Sequence, residues 1–494
     1  MNIGLGFRTV IFSLVGAICL HMALRCEAEV LYQEWVKTYH LDPSKTNAAW
    51  KILLTSDGVI VGGTSADDVG NLDYFLIKYN PSGVEAWARR YASDTGSQNI
   101  LRGMSVDESG NVFVTGSSDT VKYDSSGNLQ WIDRYSGRAI AVDSNFVYVT
   151  GYSTAQFSTA QLTNNSPDGG IGWEQMFDAT PDEDISAAVA IAPTGKVLSA
   201  GWETTGRTSV NTPINKFLLI SYSSDGIPQW QTASESINGF QNRQKISGLE
   251  FDSTGSAYLM GSMDEGTPTV MRVDSQGNLL WSHLWTYATL GNSMKVVSVG
   301  GVVCVGYNHD GAISKYAASG DREWSQSYSN PSGRASSAVA VDVSREGEVF
   351  VAGSTLRTFV ENDIFVLHVG PDGTMRSSIT FDSPQHGNDV PTGIVVDKFG
   401  NVYVTGYSTT VEGGSEFVTI KYSRGGIIQS SLNGSMHVQF PATPGVSYAI
   451  EATTDFTTWQ GLITNTVDST GLIQFTDTNA PVIPYRFYRG KGSQ

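Results

Sequence analysis

A glycine followed four residues later by tryptophan recurs six times in this chain, at Gly83/Trp87, Gly127/Trp131, Gly169/Trp173, Gly226/Trp230, Gly277/Trp281 and Gly320/Trp324. The fullest copy of the surrounding pattern runs from Gly110 to Trp131. Val112 and Val114 alternate there with Phe113 and Thr115, and Val121 and Tyr123 lead into Asp124-Ser125-Ser126-Gly127-Asn128. Alternation of β-branched and aromatic residues, bounded by turn residues, predicts strand, turn, strand. The Asp side chain can accept bonds from backbone N–H groups two or more residues on, and Gly supplies the positive φ that closes a short hairpin. Even spacing keeps Trp131 and Tyr135 on one face of the following strand.

The glycine ending the second strand of each unit, read as Gly62, Gly116, Gly151, Gly201, Gly261, Gly306, Gly353 and Gly406, recurs every 35 to 60 residues. About four strands per unit at such a period predicts a β-propeller. Eight blades follow; the short third unit, with a poor third strand near Phe157 to Asn164, leaves seven as the alternative. A large ring on the outer strand fills the gap that widens between wedge-shaped blades, so Trp87, Trp131, Trp173, Trp230, Trp281 and Trp324 read as structural. The pattern fails twice: Ser377 stands where tryptophan is expected, and Ile427 to Ser430 has no ring. Trp35 and Tyr39 have the right spacing but no hairpin of their own. They are expected to supply the outer strand of the last blade, closing the ring and hiding two sheet edges.

With 53 glycines, 16 prolines and only 16% charged residues, the composition is that of an all-β chain. Arg8 and an apolar run from Val10 to Leu24 read as a signal peptide over residues 1–28, too short for a membrane span of roughly 20 residues. That predicts a secreted or cell-surface protein, extracellular or periplasmic, with no membrane insertion after cleavage. Residues 29–428 form the propeller. Beyond it, short alternating stretches among Pro441, Pro444, Pro481 and Pro484 predict a small β-sandwich over 429–494. Cys304 is the sole cysteine outside the leader and aligns with Val114, so it reads as a buried apolar residue. A net charge of −17 without a basic block argues against nucleic acid as a partner. A monomer is expected.

The units resemble the SBBP-type β-propeller repeats of secreted and surface bacterial proteins. Gly400 to Ser408 (GNVYVTGYS) and Asp73 to Tyr79 (DYFLIKY) carry the resemblance, which spans residues 30 to about 428. The tail, with Tyr448 to Ala452 and Trp459, resembles a small C-terminal β-sandwich module of secreted environmental bacterial proteins. The turn-then-tryptophan motif is also similar to eight-bladed quinoprotein-like propellers, but the paired cysteines of those enzymes are missing, so only the scaffold carries over. None of these resemblances transfers a catalytic residue.

Tight Asp-x-x-Gly turns are expected to gather on one face, and variable loops on the other, which is the expected ligand face. Its acids are the ligand candidates: Asp67, Asp68, Asp182, Glu183, Asp184, Asp264 and Glu265. A glycosidase would need two of them about 5 to 10 Å apart. Seven histidines show no metal-ligand spacing, and no nucleophile elbow, phosphate loop or dinucleotide fingerprint is present. No cofactor, metal or catalytic residue is expected. The resulting expectation is a non-catalytic scaffold binding a glycan or a protein, with a polysaccharide hydrolase or lyase, or a cell-envelope assembly scaffold, as alternatives.

Overall fold

The computed structural model describes residues 31–93, 98–153, 156–164, 169–177, 184–207, 213–233, 245–262, 268–298, 300–330, 333–358, 361–424, 427–430, 436–441, 445, 447–453, 458–468, 472–478 and 487–492. The expected signal peptide, residues 1–28, lies outside them. The described secondary structure is all β. By its contacts the chain divides into a unit spanning Gln33–Tyr422 and a second containing Ser423–Gln494.

The first unit is an eight-bladed propeller. Seven blades are four consecutive antiparallel strands; blade 2, for example, runs Leu101–Val106, Val112–Gly116, Thr120–Tyr123 and Leu129–Asp133. Blade 3 is complete, its third strand being Gln156–Thr163, which settles the count at eight. Blade 8 takes three strands from the end of the repeat, Asp389–Val396, Val402–Thr409 and Ser415–Arg424, and its outer strand, Leu31–Tyr39, from the start of the chain. The first strand of each blade packs beside the first strand of the next, and blade 8 meets blade 1 in the same way.

Seven indoles join the blades in one way. Trp35, Trp87, Trp131, Trp173, Trp230, Trp281 and Trp324 each donate Nε1–H to a carbonyl in the turn of the next blade, Pro81, Ser125, Asn164, Ser224, Ser275, Ala318 and Pro371, at 2.9 to 3.2 Å. The turn glycine beneath is doubly required. Gly226 has φ +78°, and a Cβ there would stand 2.5 Å from the ring of Trp173. Gly226→Ala is therefore expected to lower stability by about 1 to 3 kcal/mol in thermal unfolding; an unchanged melting temperature would contradict this packing.

A second requirement was absent from the sequence pattern. In seven blades the first strand carries a one-residue β-bulge opposite the glycine of the second strand. The bulge turns a carbonyl toward that glycine: a Cβ on Gly116 would stand 2.0 Å from Ile100 O, and one on Gly406 2.0 Å from Val390 O. The glycine that marks the repeat thus exists because the bulge leaves no room for a side chain. In blade 1 it is Gly63, not Gly62, because Gly62 pairs with Lys51 beyond the bulge while Gly63 faces Ala49. In blade 3 the first strand has no such bulge, and Gly151 has ordinary space around it.

In the second unit, Ile427–Ser430, Met436–Pro441 and Leu472–Asp477 form one three-stranded sheet, and Gln460–Thr466, Ser447–Thr453 and Phe487–Gly492 form another. Tyr448, Ile450, Val467 and Ile473 are buried in one cluster. Ile427–Ser430 pairs with Met436–Pro441 rather than with blade 8, whose outer place Leu31–Tyr39 already fills.

Candidate functional site

Antiparallel order puts the turns between first and second, and third and fourth, strands at one face. At the other face lie the connections between second and third strands and the links between blades. On the turn face, Asp-x-x-Gly turns bond to themselves. In Asp124 to Asn128 the Asp124 carboxylate accepts Ser126 N at 2.9 Å, Asn128 N at 2.8 Å and Asn128 Nδ2 at 2.9 Å, and Asp274 and Asp397 repeat the arrangement.

The acids expected to face a ligand are distributed differently. Asp67 opens a turn of the same kind although it lies on the loop face: its carboxylate accepts Val69 N at 3.0 Å, Asn71 N at 2.7 Å and Asn71 Nδ2 at 3.0 Å. The run Asp67-Asp68-Val69-Gly70-Asn71 is the Asp-x-x-Gly-Asn turn itself, so the bonding capacity of Asp67 is spent within the loop. Asp68 is exposed. Asp184 is fully buried at the start of blade 4 and accepts Thr204 N at 2.8 Å, a fold contact closing strand to strand. Asp182, Glu183, Asp264 and Glu265 lie outside the described residues. Cys304 is buried, and burial raises its thiol pKa far above the ordinary value.

Two features on the loop face were missed by the sequence reading. One lies where blade 7 meets blade 8, where carboxylate oxygens of Asp363, Asp382 and Asp389 come within 4.8 Å of one another. Arg357 Nε stands 3.1 Å from Asp363 and 3.9 Å from Asp382, and its Nη2 3.1 Å from Glu361. His386 Nδ1 stands 2.7 Å from Asp382. Asp389 is held by Ser408 Oγ at 2.5 Å and Ser383 N at 2.7 Å. Burial, reinforced by the charge of Asp382, pushes Asp363 up to about 6; burial also raises Asp389.

A raised carboxyl pKa means that the folded state holds its proton more tightly than the unfolded chain. The stabilising contribution is therefore full below the ordinary carboxyl range and is lost as pH rises through about 6. Asp363→Asn removes that titration. Its melting temperature relative to wild type is expected to be more favourable at pH 7.5 than at pH 5; an equal difference at both pH values would contradict the assignment.

The other feature is a cavity of about 290 Å³ between blades 2 and 3, lined by Arg102, Ser117, Ser136, Gly137, Arg138 and Gly151. Among the described residues, none with a carboxylate lines it. Arg102 is exposed on the first strand of blade 2, and Ser136 to Arg138 form the link into blade 3. Ser117 Oγ accepts Ile100 N at 2.8 Å and donates to Gln98 O at 2.6 Å. Gly137 N and Arg138 N are bonded to Gly116 O and Thr150 O. The backbone of the walls is thereby fixed, and the polar side chains that line it are those of Arg102, Ser117, Ser136 and Arg138.

This architecture defines a β-propeller of the repeat class, and residues 385–410 match the family model described as SBBP: Beta-propeller repeat. The matched segment spans the start of blade 8 and its Gly400 to Ser408 motif. No curated protein matches the chain. Among solved structures, the Neurospora crassa Pan2 WD40 domain is similar at TM-score 0.42 and 14% identity, over 67% of this chain and 93% of that one. A protein of unknown function from Dyadobacter fermentans gives TM-score 0.42 and 11% identity, over 79% and 98%. A candidate 6-phosphogluconolactonase from Bacteroides fragilis gives TM-score 0.37 and 12% identity, over 68% and 97%.

Proposed function

We propose that this protein is an exported, non-catalytic binding scaffold whose loop face holds an extracellular polymer, with residues 429–494 as an accessory module. The observation that carries the reading is the contrast between the faces. The Asp-x-x-Gly turns of one face bind their own carboxylates, while the other face carries a cavity with a hydrogen-bonded backbone wall, lined by the side chains of Arg102, Ser117, Ser136 and Arg138. Rigid propeller strands hold such a cavity in place without reorganisation on binding.

The alternative, a polysaccharide-active hydrolase or lyase, is favoured by Asp363, a carboxyl raised to about 6 beside a second carboxylate. One experiment separates the two: the full chain is applied to a glycan array, and eluates are analysed for shortened products. Retention without product supports the scaffold. Product that disappears in Asp363→Asn establishes the enzyme instead.

A further inference from the structure

Four blades place an acid at the start of the third strand, Asp73, Asp310, Asp363 and Glu416, paired in register with Ser65, Asn308, Thr355 and Ser408 at the end of the second. The position that follows in the next blade, three residues before the bulge of its first strand, is Asn99, Ser336, Asp389 and Asn47 respectively. Between blades 1 and 2 an amide therefore meets a carboxylate: Asn99 Nδ2 donates to Asp73 at 2.9 Å, and Arg90 Nε donates to the other oxygen at 2.7 Å. Between blades 7 and 8, alone of these four junctions, an acid is set against an acid. Asp184 holds the same position in blade 4, but blade 3 begins its third strand with Gln156, so that junction pairs no two acids.

Asp382, directly after the outer strand Met375–Phe381, adds a third carboxyl. Oxygens of all three lie within 4.8 Å of one another, and Asp363 and Asp389 are 8% and 0% exposed. Asp382 Oδ1 is buried and accepts no hydrogen bond among the described residues. The other charged or titratable groups that meet them are Arg357 and Glu361 from the blade 7 loop, His386 from the link and, through Gln385, Glu416 of blade 8. One guanidinium serves four of these acids, and buried like charges resist ionising together. The same groups tie down the link of residues 382–388. Ser383 N donates to Asp389 at 2.7 Å, the His386 ring bonds to Asp382 at 2.7 Å, and Arg357 Nη2 donates to the His386 carbonyl. His386 has φ +55°, a left-handed conformation that a non-glycine residue keeps only where its surroundings impose it.

We propose that residues 382–388 form a pH-sensitive latch on the loop face, closed while Asp363 and Asp389 share a proton and released when both are ionised. Opening the link carries Asp382 away and lets water reach the other two carboxyls, so ionisation favours the open form and protonation the closed one. His386 acts in the same direction, because an imidazolium gains a salt bridge to Asp382 that the neutral ring lacks. The sign agrees with the upward displacement of Asp363 to about 6: closure is fully favoured below the ordinary carboxyl range and is lost as pH rises through about 6. The latch does not depend on what the loop face binds. It gives that face one shape in acid and another near neutrality.

Hydrogen exchange of the full chain, followed by mass spectrometry in EDTA at pH 5 and pH 7.5 and corrected for the intrinsic rate at each pH, tests the latch. With a carboxyl at about 3.9 in the open link and about 6 in the closed one, linkage makes opening about tenfold more frequent at pH 7.5 than at pH 5. Protection of residues 382–388 is expected to fall by that factor, while the turn Asp124 to Asn128 keeps its own. Asp389→Asn gives the junction the acid and amide pair found between blades 1 and 2, and its protection is expected to vary less than threefold between the two pH values. Asp363→Asn removes the pair from the other side and is expected to behave alike. Equal protection at both pH values in the wild type would overturn the switch. A tenfold fall that persists in both variants would assign the effect to His386 and overturn the carboxyl latch.

Discussion

Removing residues 31–40 is expected to destabilise the propeller by more than about 5 kcal/mol, the largest effect of any change of comparable size. Two separate losses contribute. Trp35, 8% exposed, packs against Tyr79 and Tyr403 and donates to Pro81 O at 3.1 Å; losing a buried ring of this size costs about 3 to 5 kcal/mol. Glu34 pairs with Lys421 at 2.8 Å, with side-chain exposures of 6% and 0%. Lys421 also donates to Pro81 O at 3.0 Å and acts on the charge of Asp397; losing the buried Glu34 partner costs up to about 3 to 5 kcal/mol. The single variant Glu34→Ala isolates the second loss, and urea unfolding monitored by tryptophan fluorescence measures both. A truncated chain as stable as the full one would show that the ring does not depend on its first strand.

The second large effect is at Trp131. Its ring, 4% exposed, packs on Phe113 and on the turn holding Gly169, and Nε1 donates to Asn164 O at 3.2 Å. Lys122 Nζ converges on the same carbonyl at 3.0 Å and on Asn164 Oδ1 at 2.9 Å, so both side chains tie the outer part of the blade 2 to blade 3 junction to Asn164. Trp131→Ala is expected to cost about 3 to 5 kcal/mol. Trp230→Ala, at a junction where the ring is only partly buried, should cost less. Equal losses at the two sites would mean that something other than burial sets the cost.

The propeller was legible because its determinants repeat: the turn glycine, the tryptophan four residues on and the valine alternation occur often enough to read through each unit's variations. The place of Leu31–Tyr39 was legible for the same reason, since the last blade lacked a ring that the first strand had to spare. The bulge register of the inner strands was not. A bulge is a property of register between strands, and nothing in the sequence around Trp50 or Arg102 marks them as equivalent until Ala49 and Leu101 are seen opposite Gly63 and Gly116. The same blindness shifted the first repeat glycine by one residue. That Asp67 opens an Asp-x-x-Gly turn went unread because the motif was sought on one face alone. Asp363, Asp382 and Asp389 escaped notice because they are spread over the end of one blade and the start of the next, and only the junction brings them together.

The most direct measurement is an experimental structure of the full chain with an oligosaccharide retained on the glycan array bound to it. Ligand seated on the loop face, which carries the cavity between blades 2 and 3, is the predicted result. Ligand seated on the Asp-x-x-Gly turn face would contradict the account.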